Sequence, residues 1–193
     1  MENYNDIKIL SIQNEKTLID EAYKILQDNL GKSYINFDKY CFYVKNNQTL
    51  VSINKNEVVG TLIFELTTEK SFFDKYNIKN NFDKCKILNI QTLAVKYHSS
   101  GIGTELIDYC IAHYSRLVEK IYAPLWKSIN GINASRLFQK FGFNPIITID
   151  NYWYKDSIGK KNYCPVCNSP CTCSIIIYYK AVKSNNNLCL YKG

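Results

Sequence analysis

Two rhythms of apolar and polar positions run along the chain, and the switches between them outline its elements. Alternating or continuous apolar runs predict strands at residues 7–12, 48–54, 58–68, 86–95, 120–126, 146–154 and 174–182. Asn54-Lys55-Asn56-Glu57 is the turn of a hairpin between the second and third of these. Helical spacing puts Leu18, Ile19, Ala22, Ile25 and Leu26 on one face of a helix over 17–30. It also turns Leu106, Ile107, Cys110, Ile111, Tyr114, Leu117 and Val118 inward on a helix that follows the 86–95 strand. A third helix spans 134–141, residues 31–40 read as short helix or irregular chain, and 71–84 as a polar loop or short helix with aromatic residues. Strands interleaved with helices imply an α/β fold with a mixed sheet. Such faces are ordinarily core, so Cys110 and Tyr114 are assigned no chemistry.

Composition sets the scale. A chain of 193 residues, 46% of them hydrophobic, can bury its own core, and residues 1–193 read as a single domain. No run of 18 apolar residues offers a membrane span, and Met1-Glu2-Asn3-Tyr4-Asn5-Asp6 has no basic stretch leading into an apolar one. A cytoplasmic location is therefore expected. There is no internal repeat, and the richness in Asn, Lys and Tyr is treated as compositional bias.

The segment carrying most chemistry is Leu93-Ala94-Val95-Lys96-Tyr97-His98-Ser99-Ser100-Gly101-Ile102-Gly103-Thr104, a strand entering a helix through a glycine turn. Gly101 and Gly103 clear side chains from a place where backbone N–H groups can approach an anion, and the helix start adds unpaired donors and the positive end of its dipole. A phosphate ligand is expected there; a tight turn without ligand is the plain alternative. A dinucleotide fingerprint needs a third glycine where Leu106 stands. Gly31-Lys32-Ser33 lacks the earlier glycine of a triphosphate loop, because that position is Leu26.

About thirty residues on comes Asn130-Gly131-Ile132-Asn133-Ala134-Ser135-Arg136-Leu137-Phe138-Gln139-Lys140-Phe141-Gly142-Phe143. Together the two segments resemble the GNAT superfamily of acyl-CoA-dependent N-acetyltransferases. The family's first motif, Gln/Arg-x-x-Gly-x-Gly/Ala, is matched by 98–103 with His98 in the first place; its second, Asn-x-x-Ala-x-x-Leu-Tyr-x-x-x-Gly-Phe, is matched at Ala134, Leu137, Gly142 and Phe143. Two departures stand out. The motif asparagine falls on Gly131, so that Asn130 or Asn133 serves only through a shifted loop. The motif tyrosine, which often protonates the departing thiolate, falls on Phe138, which leaves water, another tyrosine or no dedicated acid.

The resemblance implies a mostly antiparallel mixed sheet with a splayed pair of strands, flanked by helices. It implies acetyl-CoA as cosubstrate, its pantetheine arm inserted in the splay and its pyrophosphate on the turn. The cofactor contacts carried over are Leu93, Ala94, Val95, His98, Ser99, Ser100, Gly101, Ile102, Gly103, Thr104, Asn130, Asn133 and Phe138. The implied reaction is direct attack by a primary amine on the thioester in a ternary complex, with the Val95 N–H donating to the developing oxyanion. Family members often carry a basic glutamate on the fourth strand, where this chain has Asn89 and Gln91. Glu65 on the preceding strand is the nearest acidic candidate, acting through a water chain; a solvated strand carboxylate is its plain reading. His98 is a candidate phosphate ligand, and His113 is read as an inert, exposed helix residue. Neither has a Ser or Cys nucleophile as partner, so no covalent acyl-enzyme is expected. The acceptor, a small molecule or a peptide, would bind loops around 30–43, 71–84 and 151–173.

Four thiols lie within Cys164-Pro165-Val166-Cys167-Asn168-Ser169-Pro170-Cys171-Thr172-Cys173. That spacing suits one tetrahedral ion, zinc best, with Cys164, Cys167, Cys171 and Cys173 as a closed structural ligand set in a 160–173 loop before the last strand. A reduced Cys-rich loop or a disulfide pair is the alternative. Cys41, Cys85, Cys110 and Cys189 read as ordinary thiols. The net charge of +7 comes from scattered lysines and fits a cleft rim for a polyphosphate ligand. Lys155, Lys160 and Lys161 beside the cysteines form the one local cluster. They support a second functional class, a catalytically impaired scaffold binding nucleic acid or protein through the basic loop. Nucleic acid is otherwise not an expected partner, and homodimerisation is left open.

Overall fold

In the computed structural model, which describes residues 8–182 apart from 14, 33, 80, 81, 83, 133 and 159–163, strands and helices interleave. They run β1 (Lys8–Ser11), α1 (Lys16–Leu30), α2 (Phe37–Lys45), β2 (Thr49–Asn54), β3 (Glu57–Thr68), α3 (Glu69–Asp74) and β4 (Lys86–Val95). The second half runs α4 (Ile102–Tyr114), β5 (Lys120–Ser128), β6 (Gly131–Ile132), α5 (Ser135–Lys140), β7 (Asn144–Ile149), α6 (Tyr154–Ser157) and β8 (Ser174–Ala181). One sheet results, in the order β1-β2-β3-β4-β5-β8-β7, with β6 folded back on β5. Every pair is antiparallel except β4 with β5.

The β2–β3 hairpin forms as its turn sequence dictates: Lys55 and Asn56 take left-handed φ values of 48° and 66°, the pair that matches strand twist. Alternation along β3 sends Leu62 and Phe64 to the face covered by α4 and Ile63 to the face covered by α1 and α2, and a bulge at Val59, opposite Ser52 and Ile53, shifts the phase so that Val59 joins the first face and Val58 the second. On that second face Phe72 and Phe73 of α3 build a separate aromatic cluster with Tyr122, Ile175 and Ile177. Gly60 allows α4 to sit close on β3, because a Cβ there would stand 2.7 Å from Ile102 Cγ2 and 3.0 Å from Leu106 Cδ1. Among the described residues, no helix is long and apolar enough to cross a membrane.

Four expectations change. Residues 37–45 form a regular helix, capped by the Asn36 side chain accepting from Lys39 N–H at 2.8 Å, with Tyr40, Tyr43 and Val44 buried at helical spacing. Leu117 is 57% exposed, because the helix gives way at residue 115 to a tighter turn that rotates it outward and leaves Val118 to fill the core. The strand expected over 146–154 is Asn144–Ile149, and Asn151 at φ 51° then turns the chain into α6. Within 71–84 the chain is helical to Asp74, and the helix begins earlier, at Glu69, with Thr68 as its cap.

Candidate active site and four-cysteine cluster

β4 and β5 are held together by three pairs, Ile87 with Lys120, Leu88 with Ile121 and Asn89 with Tyr122, and then part. From Ile90 onward β4 keeps β3 on one side and loses β5 on the other. Lys96 N–H bonds Val59 O at 2.8 Å, so the alternation of an antiparallel ladder turns the N–H and C=O groups of Leu93 and Val95 away from β3, into the gap. Backbone hydrogen-bonding capacity is thus held open inside the molecule.

The gap leads to the glycine turn. Ser99 and Gly101 adopt left-handed φ values of 60° and 88°, and the Ser100 hydroxyl donates to Tyr97 O at 2.7 Å, curling 97–101 before α4 begins. Thr104 and Glu105 N–H groups both turn back to Gly101 O, at 2.9 and 3.1 Å. The N–H groups ahead of them in the first turn of α4 face the cleft, with the positive end of the helix dipole behind them. Gly103 packs under this turn, where a Cβ would meet Leu137 Cδ2 at 3.2 Å. Arg136 and Lys140 of α5 line the same end.

All of this opens into one cleft of about 1410 Å³. Leu93, Ala94, Val95, His98, Ser99, Ser100, Gly101, Gly103, Thr104 and Phe138 line it. Ile102 is fully buried, with only its backbone at the turn; Asn130 sits exposed in the β5–β6 turn, away from the lining; Asn133 lies outside the described residues. Phe138, at the motif tyrosine position, is 1% exposed and packs edge-on against Phe143. His113 is exposed and stacks on Tyr109. Cys110 is core, its thiol pushed up to about 12 by burial.

Glu65 is no solvated strand carboxylate: its side chain is only 13% exposed. Tyr43 from α2 donates to its Oε1 at 3.0 Å, Asn89 from β4 to its Oε2 at 3.2 Å, and Lys75 after α3 pairs with the same oxygen. These three partners line the cleft floor while the carboxylate lies behind them. Burial pulls the Glu65 carboxyl upward, but Lys75, Asn89 and Tyr43 more than offset it and hold it below its ordinary value. The Tyr43 hydroxyl, which also reaches Gln91 Oε1 at 3.1 Å, is raised by burial and by the Glu65 charge, and keeps its proton. Asn89 Oδ1 is buried with no hydrogen-bond partner at the point where β4 and β5 separate. Tyr34 and Thr92 hydroxyls share a 2.7 Å bond on the same floor. None of these partners was legible in advance, although the Asn36 cap and the spacing of Tyr40, Tyr43 and Val44 announce the helix that supplies Tyr43.

No protein-family model matches the chain. It is 25% identical over 156 residues, 80% of this chain and 86% of that protein, to the [ribosomal protein bS18]-alanine N-acetyltransferase of Haemophilus influenzae. The crystal structure of the ribosomal-protein-S18-alanine N-acetyltransferase from Escherichia coli superposes with a TM-score of 0.64 at 16% identity, covering 96% of this chain and 99% of that one. Arabidopsis thaliana Naa50 in complex with the bisubstrate analogue CoA-Ac-MVNAL gives 0.61 at 20% identity, over 91% and 98%. The fold is that of the GNAT N-acetyltransferases. In this GNAT sheet the parting of β4 from β5 and the glycine turn stand where the sequence motif put them.

Residues 150–173, between β7 and β8 of the GNAT sheet, carry the cysteines. The sulfur atoms of Cys164, Cys167, Cys171 and Cys173 all lie within 4.8 Å of one another, with 164–173, 167–171 and 167–173 at 3.8, 3.5 and 3.6 Å. A tetrahedral Zn–S bond of about 2.3 Å sets sulfurs about 3.8 Å apart, so the cluster has the size of a zinc thiolate site. The described cysteines are all free thiols. Cys164 and Asn168 exchange both backbone bonds, at 3.2 and 3.0 Å, closing the first Cys-x-x-Cys turn. Burial raises the Cys167 thiol, but the Thr172 backbone and the three neighbouring sulfurs pull it down to about 7. Cys164 and Cys171 line the cleft. Lys155 is exposed on α6, and Lys160 and Lys161 lie outside the described residues.

Proposed function

We propose that this protein transfers the acetyl group of acetyl-CoA to the α-amine of a peptide, by direct attack within a ternary complex in the cytoplasm. The observation that carries the reading is the parting of β4 from β5 beside a glycine turn and helix start, all lining one cleft. The open N–H and C=O groups of Leu93 and Val95 suit a pantetheine arm that exchanges backbone-like hydrogen bonds. The turn 98–104 suits the pyrophosphate, with Arg136 and Lys140 beside it. In the reaction the amine nitrogen bonds the acetyl carbon, the carbon–sulfur bond breaks, and the amine's proton leaves while the thiolate gains one. The Val95 N–H supports the oxyanion between these events.

The acceptor class follows from proton chemistry. Only a neutral amine attacks, and at pH 7.5 an α-amine is about a quarter to two-fifths neutral, whereas a lysine-like amine is about one part in a thousand. Among the described residues the cleft floor offers no strong base, since Glu65 is held low by Lys75, Asn89 and Tyr43. Such a floor suits an amine that needs little help, and the similar proteins named for a ribosomal-protein alanine and for a CoA-linked peptide support a peptide N-terminus. The Tyr43 hydroxyl, which donates to Glu65, is placed to hand its proton to that carboxylate while taking the one released by the amine. Free thiols throughout the described residues fit a reducing compartment. We assign a structural zinc ion to Cys164, Cys167, Cys171 and Cys173, which as four protein ligands would leave no open position for catalysis.

Calorimetric titration with acetyl-CoA, followed by thiol-release assays on peptides with different first residues, tests the reading. A Gly101→Glu variant should lose acetyl-CoA binding by more than tenfold: it places a carboxylate at the anion site and a side chain on a backbone of φ 88°. Wild-type protein that binds no acetyl-CoA would sink the proposal.

A further inference from the structure

The four-cysteine cluster does not hang clear of the chemistry. Cys164, Pro165 and Cys171 form part of the cleft lining together with Tyr152, Trp153 and Ser157 of the preceding turn and α6. Ser157 ties the two together: its Oγ accepts from Cys171 N–H at 2.7 Å and its carbonyl from the Ser169 hydroxyl at 2.7 Å. Tyr152 N–H reaches Cys173 O at 3.0 Å. From the other side Trp126 of β5 joins the same lining. Among its described residues the loop has no apolar cluster of its own, since the nearest one is built on Phe72, Phe73 and Tyr122 and takes in Tyr152 and Trp153 but no cysteine of the loop. What holds these sulfurs 3.5–3.8 Å apart must therefore also hold this wall of the cleft.

We propose that a thiophilic divalent ion, zinc, bound by Cys164, Cys167, Cys171 and Cys173 fixes the acceptor-side wall of the cleft, so that metal occupancy and acceptor binding are coupled. The proposal rests on the reading of the cleft as an acetyltransferase site, with acetyl-CoA along β4 and the acceptor between α2 and the wall formed by Tyr152, Trp153, Ser157, Cys164 and Cys171. The glycine turn and the β4 edge contain no cysteine-loop residue, so the ion acts on the acceptor and leaves acetyl-CoA binding alone. Coupling is reciprocal: whatever factor the ion adds to acceptor affinity, the acceptor adds to retention of the ion.

The test begins with metal analysis of the purified, reduced protein, in which one zinc per chain is expected. The ion is then stripped with a chelator under reducing conditions and returned. Removal should raise KM for a peptide with an N-terminal alanine by about tenfold, leave the acetyl-CoA Kd by calorimetry within about twofold, and be reversed by added zinc. Bound peptide should slow zinc transfer to the chelator. Trp126 and Trp153, the chain's two tryptophans, both line the cleft, so the intrinsic emission of the unaltered protein reports the wall and should shift to the red on metal removal. Protein that binds no metal, an unmoved peptide KM, or acetyl-CoA affinity lost in step with the peptide's would each overturn the proposal. Failure to acetylate any peptide would instead count against the proposed activity, and the metal analysis with the tryptophan emission would still judge the wall.

Discussion

Replacing Gly60 by alanine probes how α4 is held on the sheet. The added methyl would stand 2.7 Å from Ile102 Cγ2 and 3.0 Å from Leu106 Cδ1, where ordinary contact starts near 3.4 Å, so up to about 0.7 Å must be absorbed. Both neighbours are completely buried, and Ile102 is β-branched and opens the helix, so little of the strain can leave through a rotamer change. Overpacking of this kind costs about 1–3 kcal/mol, offset by about 0.4–1 kcal/mol from stiffening the unfolded chain. For a chain of this length each kcal/mol moves Tm by about 2–4 °C, so a fall of several degrees is expected. Because α4 is pushed at its first turn, the glycine turn moves with it, and acetyl-CoA should bind more weakly. Thermal unfolding and calorimetry measure both effects. The decisive comparison is the double variant with Ile102→Ala, which removes the clashing carbon and should lose less stability than the two single changes together. Additive losses, or Gly60→Ala with unaltered Tm, would refute this account of the contact.

Glu65→Gln should unfold at lower temperature than the wild type at neutral pH. The Glu65 carboxyl is depressed below its ordinary 4.5, so its contribution is complete above that value and fades as pH falls through the lower folded value. The Tm gap should therefore narrow below about pH 4.5, and a gap that widens on acidification contradicts the assigned network. Ser157→Ala should leave the Cys171 N–H without its buried partner, costing about 1–3 kcal/mol, and should weaken zinc retention by about 10–100-fold in competition with a chelator. Unchanged zinc retention would detach Ser157 from the cluster.

The sheet was legible in the sequence because its signals are local. β4 begins and ends where its apolar run does, and the left-handed turn at Gly101 is written in glycine. Four cysteines in a Cys-x-x-Cys and Cys-x-Cys spacing pointed to one ion, and the backbone turn from Cys164 to Asn168 brings their sulfurs together as that spacing requires. The floor of the cleft was not legible. Glu65 becomes a buried, paired carboxylate only because Tyr43, Lys75 and Asn89 arrive from three other parts of the chain. Gly60 looked like any strand residue until α4 was laid across it. The same holds for the cysteine loop: its spacing spoke of a metal, and only the path of 150–157 shows that it borders the cleft.

The three-pair join between β4 and β5 leaves two part-sheets, β1 to β4 and β5 with β7 and β8, meeting along an interior edge whose peptide groups face an open slot. Sheets normally protect such edges, because an unpaired edge invites another strand. The bare protein therefore carries an invitation to self-association in its middle, and any molecule that fills the slot closes it. At a hundred times its Kd such a molecule adds about 2.7 kcal/mol to stability. Purification and storage with that molecule present should yield a sturdier, less aggregation-prone preparation, and shelf life becomes a property of the ligand as much as of the chain.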